Sequence, residues 1–310
     1  MDKQITMRDT FWNRIYELAK VDKDIIVIAA DMGAPALDKF RIDLPGQFVN
    51  AGIAEQNAML VATGLALKGK KVYVYAIAPF ITMRCYEQIR IYPAGMNLPI
   101  TIVGVGAGVC YEESGPTHHA VEDISILRIL PNMKIYSACD NNMTKMFADL
   151  TYSEKSPNYV RLDRIILPNI YPEGSDFSEG IGVLRPVSGI TVMATGCMIK
   201  TALEVSDILK KKGVNIGVLD AYNIPVDAEK FINMTKHVKI LYTLEEHTLP
   251  GGFGSQICEI VVDHDLDMKV RRLGFDFSRN YCYTYGGRQY IHPEYGLDAA
   301  NICAKIEKDL

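Results

Sequence analysis

The sequence lacks the features that mark several large classes of protein. Its seven cysteines (85, 110, 139, 197, 258, 282 and 303) are odd in number and form no Cys-x-x-Cys pair. Most sit in apolar runs, where a thiol behaves as a small buried hydrophobe. Neither a disulfide framework nor a zinc site is expected, and no metal ligands are assigned. Charge of one sign is not in excess: 33 Lys plus Arg against 37 Asp plus Glu leaves a formal net charge of −4. Such a surface offers no basic face to the phosphates of a nucleic acid. Long hydrophobic runs are missing too. The longest uncharged apolar stretches, 72–83 and 98–110, fall short of the roughly 18 residues that a membrane span needs. The start, Met1-Asp2-Lys3-Gln4, has no apolar signal segment behind it, so a cytoplasmic protein without a membrane partner is expected. Neither half carries a Gly-x-Gly-x-x-Gly fingerprint after its first strand or a P-loop lysine, which leaves a nucleotide-binding reading without an anchor.

What is present suits a globular enzyme. Apolar residues make up 48% and charged residues 23% of 310 residues, enough for a real core and about two domains. Thr6-Met7-Arg8-Asp9 reads as a helix start, with a short acid three positions after a capping hydroxyl. Short apolar runs at 25–30, 47–50, 72–77, 99–104, 133–137 and 158–162 predict strands. Helical spacing predicts helices at 53–67, 81–92, 121–130 and 141–150 between them. Residues 167–180, rich in Pro, Gly, Ser and acids, predict a linker. Alternation then resumes, with strands at 190–195, 214–219, 238–244 and 270–274 and helices at 199–212, 227–234, 252–262 and 297–308. Continuous apolar strands separated by helices predict mostly parallel sheets covered on both faces: two three-layer α/β/α domains.

Ligands of such sheets bind at the carboxyl ends of the strands, and four polar interruptions fall there. Glu55 opens an otherwise apolar helix, where a buried carboxylate would need a partner or a raised pKa. Phe80 follows a strand end and can present a flat face to a heteroaromatic ring. His118 and His119 follow a Gly-Pro turn, placed to bond substrate hydroxyls or carry protons, or to face solvent. Arg161 and Asp163 share one face of a strand, where they can pair or support a site, and Arg164 just beyond can reach an anion.

In this order, followed by Glu245-Glu246-His247 and Gly251-Gly252-Phe253-Gly254, these segments resemble the C-terminal section of transketolase, in particular the transketolases split into two subunits. GIAEQNA (52–58), SGPTHHAVEDISILRILPNM (114–133) and EEHTLPGGFGS (245–255) carry the likeness, which covers nearly the whole chain. It implies a pyrimidine-binding domain over 1–170 and a transketolase C-terminal domain over 180–310. It also implies thiamine diphosphate as cofactor and transfer of a two-carbon ketol unit from a ketose, such as a sugar phosphate, to an aldehyde. Glu55 matches the glutamate that hydrogen-bonds N1′ of the aminopyrimidine. Phe80, or Ile81 next to it, matches the residue stacked on that ring, and Asp31 lies beside the same pocket. His118, with His119 assisting, matches the histidine on the donor's oxygens, and Arg164 the arginine that grips a phosphate.

The resemblance further implies a partner. In this family a Gly-Asp-Gly motif with a downstream asparagine holds Mg²⁺ and the diphosphate, and it belongs to the N-terminal half. A transketolase N-terminal-section subunit holding most of the Mg²⁺ contacts is therefore implied, in an α2β2 heterotetramer. Two positions depart from ordinary transketolases. Ser114 stands where an aspartate reads the substrate's hydroxyls, and Gly106 where a histidine touches the phosphate, so a widened or reshaped channel is expected. A 1-deoxyxylulose-5-phosphate-synthase-like carboligase, a 2-oxo acid dehydrogenase E1 β-like subunit and a non-catalytic scaffolding paralogue are the other readings. Glu55 and His118 weigh against the last. The C-terminal domain is expected to be structural, with no required catalytic residue beyond about 180.

Overall fold

The computed structural model describes residues 5–31, 33–276 and 281–310. Met1-Asp2-Lys3-Gln4 and Met32, just past the first expected strand, lie outside the described residues. The first sheet is built from β1 (Ile25–Ala29), β2 (Phe48–Asn50), β3 (Lys71–Ile77), β4 (Ile100–Val105), β5 (Lys134–Ser137) and β6 (Asn158–Leu162). These lie in the order β5-β6-β4-β3-β1-β2 and every pairing is parallel. The second contains β7 (Ile181–Arg185), β8 (Ile190–Ala194), β9 (Gly217–Ala221), β11 (Ile240–Thr248) and β12 (Lys269–Phe275), in the order β12-β11-β8-β9-β7. Only β7 runs antiparallel there. The chain therefore forms two α/β domains with mostly parallel sheets.

Every residue of β1, β4 and β6 is buried, as expected of strands with helices on both faces. Met7–Val21 starts at Thr6, whose hydroxyl accepts from Asp9 N at 3.2 Å, and it packs beside Pro35–Asp43 and Asn141–Ser153. Glu55–Leu67 covers β3 through Ala58, Met59, Ala62 and Ala66. Five of the seven cysteines are buried and all are free. Among the described residues no helix is long and apolar enough to cross a membrane.

The departures from expectation have local causes. The helix expected over 81–92 is three pieces, Ala78–Thr82, Tyr86–Ile89 and a π-helical turn at Arg90–Ala94. Pro93 cannot donate to the ladder and forces the wider turn. Pro35–Asp43 has Pro at its first turn but no long periodic run, and it was not expected. The helix Arg288–Glu294 was also unforeseen, as were β7 and the two-residue β10 (Asn223–Ile224). β10 leaves the second domain to pair antiparallel with β5 of the first sheet.

That strand crossing ties the domains together, as do the Thr248 N–Val121 O hydrogen bond and the Arg128–Glu259 ion pair. Buried charge adds to these. Arg161 in β6, 2% exposed, does not pair with Asp163. Its Nε donates to Asp123 at 2.8 Å, and its Nη2 donates to the carbonyls of Ala120 and of Glu246, each at 3.1 Å. Tyr159 donates its hydroxyl to the same Asp123 carboxylate at 2.8 Å. From the second domain, His247 Nε2 accepts from Ser125 N at 3.3 Å. A buried pair that loses one member leaves an uncompensated charge. Arg161→Leu should therefore lower the free energy of unfolding in urea by about 3–5 kcal/mol; a loss below about 1 kcal/mol would show that the junction does not depend on this guanidinium.

Candidate active site

The polar positions picked out along the chain converge at the carboxyl edge of the first sheet. Asp31 follows β1, Glu55 follows β2, Phe80 follows β3, residues 106–119 follow β4 and Arg164 follows β6. Glu55 is 4% exposed at the start of its helix. Its neighbours on the buried face are apolar, so its charge needs a partner. Arg84 supplies it: Nη1 donates to Glu55 Oε2 at 2.8 Å. Arg84 lies in the break between the short helices after β3, and its guanidinium carbon also stands 4.3 Å from the centre of the Phe80 ring. Carboxylate and ring thus share one cation. Ile81, in contrast, is wholly buried in the core and offers no surface to a ring.

Phe80 leads on to the histidines. Its ring meets His118 edge-on at 5.0 Å, and Tyr111 meets the other side of His118 at 5.6 Å. Arg164 lies over Tyr111 at 4.8 Å. A continuous path therefore runs Glu55–Arg84–Phe80–His118–Tyr111–Arg164, with the buried carboxylate at one end and an exposed guanidinium at the other. Asp31 is exposed beside this edge, in the left-handed region at φ 52°, and accepts from Asn50 Nδ2 at 3.2 Å. Ser114 is half-buried; its N–H donates to Tyr111 O and its carbonyl accepts from Thr117 Oγ1.

Arg84 and Tyr111 were missed in the sequence. Arg84 looks like any surface arginine until Glu55 is found beneath it. Tyr111 has a sequence signal in hindsight: the glycine five positions earlier. Gly106 has φ +100°, and a Cβ there would overlap the Tyr111 ring. The expected widening of the channel at Gly106 is thus offset, since the phenol ring fills the space that a side chain at 106 would take.

The two histidines differ. His118 is half-buried, with Nδ1 2.9 Å from the Thr117 hydroxyl. His119 is 4% exposed and its Nε2 is buried without a partner. Loss of solvent holds both imidazoles below the usual histidine range; for His119 the nearby Glu246 carboxylate partly opposes that shift. The segments expected to order the second domain lie behind them. Glu245 accepts from Phe253 N and Gly254 N, each at 2.8 Å. Glu246 accepts two bonds from Arg288 at 2.7 Å and one from His292 at 2.6 Å. Arg288 also pairs with Asp163 at 2.6 Å. Burial thus disfavours the charged form of both site histidines, and their ring proton resonances should titrate below the ordinary histidine midpoint. A midpoint at or above 6.5 for His119 would contradict its burial.

The aminopyrimidine half of thiamine diphosphate fits this chemistry, because a buried carboxylate and an aromatic ring flank a single displaceable side chain. Among the described residues no group of three or more His, Cys, Asp or Glu could hold a metal ion.

Comparison with known proteins gives the same picture. Residues 3–169 match the family model "Transketolase, pyrimidine binding domain" and residues 181–302 match "Transketolase, C-terminal domain". One of the subunits of the apulose-4-phosphate transketolase of Phocaeicola vulgatus is 34% identical over 97% of this chain and 96% of its own length. The 6-deoxy-6-sulfo-D-fructose transketolase subunit of a Clostridium species is 29% identical over 96% and 92%. A solved split-gene transketolase, described as an inactive β4 tetramer, superposes with TM-score 0.85 at 29% identity over 99% of this chain and 98% of that one. The chain belongs to the transketolase family, as a thiamine-dependent enzyme subunit of the split-gene type that carries the pyrimidine-binding and C-terminal domains.

Proposed function

We propose that this subunit, joined to a transketolase N-terminal-section chain, transfers a two-carbon ketol unit from a ketose with an anionic end group to an aldehyde. The observation that carries the reading is the buried Glu55 carboxylate sharing Arg84 with the Phe80 ring, one ring contact away from His118. On this reading the pyrimidine-binding domain comprises 1–170 and the C-terminal domain 180–310.

Thiamine diphosphate, when bound, supplies a carbon nucleophile and an electron sink for breaking and remaking the ketose C2–C3 bond. This chain's residues do the rest. Glu55 has Oε2 on Arg84, which leaves Oε1 to hold a proton against the ring nitrogen of the aminopyrimidine. Phe80 gives that ring a face to stack on once the Arg84 guanidinium moves aside. His118, with Nδ1 turned to the Thr117 hydroxyl, keeps Nε2 for the substrate oxygens, where it donates or accepts a proton as charge develops. His119 assists from behind, Ser114 lies in the same turn, and Asp31 borders the pyrimidine side. Arg164 is exposed and fixed over Tyr111, suited to a terminal anion. The two relatives above are named for a phosphorylated and a sulfonated sugar, which supports an anionic end group.

The need for a partner is supported by the outer face of the Glu55 helix. Glu55 is the only charged residue in Glu55–Leu67, and Leu60, Val61 and Leu67 are exposed on it. Ile53 just before the helix is 80% exposed and Met83 37%. A helix apolar on all sides belongs in an interior. We assign this face to contact with other subunits in an α2β2 assembly, with the partner holding Mg²⁺ and the diphosphate.

Two measurements test this reading. Glu55→Gln in the reconstituted pair should lower turnover by about 100-fold or more, the scale of acid–base assistance, and wild-type turnover would count against it. Calorimetric titration with thiamine diphosphate and Mg²⁺ should show tight binding to the pair and weak or no binding to this chain alone. Tight binding by the lone chain sinks the shared-site reading.

A further inference from the structure

Besides Glu246, whose Oε2 accepts from Val109 N at 3.3 Å, the second domain reaches the site loop through a short segment near residue 285. Tyr285, Gly286, Gly287 and Arg288 lead into the helix Arg288–Glu294, and each anchors on the loop that carries the histidines or on its support. Gly286 N donates to Glu112 O at 3.3 Å. Arg288 pairs with Asp163 and donates to Ala107 O at 3.4 Å. His292, on the same helix, is held by Glu246. These bonds fix Tyr285 over Gly115, the first residue of the 3₁₀ turn Gly115–His118. Gly115 has φ +66°, and a Cβ there would come within 2.8 Å of the Tyr285 Cζ and Oη atoms. The phenol therefore lies directly on backbone three residues from His118 and one from Ser114.

Tyr285 is nonetheless 59% exposed, and among the described residues its hydroxyl has no hydrogen-bond partner. A tyrosine needed only for packing would bury its ring. Here the hydroxyl end of the ring rests on the turn, beside Ser114, while the remainder of the side chain stays open, which suits an amphipathic contact with a sugar chain. The inner end of the path, Glu55 and Phe80, is taken up with the cofactor on the reading above, and Arg164 is suited to the terminal anion. The hydroxyl-bearing carbons between them are left for the turn that Ser114 and Tyr285 border.

We propose that Tyr285 of the C-terminal domain is a specificity-determining residue, its phenol donating to or accepting from a hydroxyl on the aldose portion of the substrate, beyond the bond that is made and broken. This rests on the ketol-transfer reading of the site. It adds a substrate contact from beyond residue 180, in the domain expected to hold no required catalytic residue. The domain junction acts as a mount that carries one side chain of the second domain to the substrate.

The test uses the reconstituted two-chain enzyme with hydroxypyruvate as a fixed donor and three acceptors: glycolaldehyde, D-glyceraldehyde 3-phosphate and D-ribose 5-phosphate. Tyr285→Phe keeps the ring on Gly115 and removes only the hydroxyl. KM for the longer, hydroxylated acceptors should rise about tenfold, the scale of one lost hydrogen bond. Their kcat, both constants for glycolaldehyde and the melting temperature should stay at wild-type values. Unchanged KM for all three acceptors overturns the proposal. So does an equal loss of kcat with all three, which would make Tyr285 a prop for the loop. A wild-type pair that transfers no two-carbon unit to any acceptor overturns this proposal and the functional reading together, whereas the first two results leave that reading standing.

Discussion

Arg161 sits where three parts of the molecule meet, and its guanidinium satisfies one group from each. Asp123 comes from the short helix after the histidines, the Ala120 carbonyl from the segment joining them to it, and the Glu246 carbonyl from the second domain. A cation so deeply buried persists only if its donors are matched, and that requirement fixes the backbone behind His118 and His119 in one place. The site loop is therefore held from its interior side before any ligand arrives. Arg288 repeats the arrangement one layer outward with Asp163 and Glu246. Side chains of this length and charge are chosen here for reach: each spans two domains with a single planar group.

This architecture explains why a domain without evident catalytic groups accompanies the pyrimidine-binding domain. The second sheet does not line the cleft. Its contribution arrives through β10, which extends the first sheet, and through the Glu246–Arg288–His292 cluster, which backs the histidine loop. Positional precision at a reacting centre depends on the elements around it, and here half of those elements belong to the neighbouring domain. The outer face of the Glu55 helix, with Leu60, Val61 and Leu67, is left uncovered by either domain of this chain.

Much of this was legible in the sequence. Strands buried on both faces read as unbroken apolar runs, so β1, β3, β4, β6 and the second-domain parallel strands were found, though β9 begins three residues later than expected. Glu55, Phe80, His118 and Arg164 stood out because each interrupts or ends an apolar segment, and the structure strings all four along one edge. Failures came where meaning depends on partners distant in the chain. Arg161 and Asp163 share a strand face yet serve different ions, because each faces a charge from another element. β7 and β10 are set by pairing with strands already in place, not by their own pattern. Gly106 was expected to widen the channel, but the space beside it is occupied by a neighbour's ring. The exposed tyrosines 281, 283 and 285 recur at every second position, yet that segment forms no strand.

Arg84 has a consequence for the life of the chain ahead of assembly. A carboxylate as deeply placed as Glu55 would, without a counter-ion, draw water inward or neutralise itself, and either would loosen the start of its helix. The arginine plugs that gap from the solvent side, with its side chain still 44% exposed. In this chain the Glu55 carboxylate is thus closed off by the protein's own cation, and any ligand of that oxygen has to displace it.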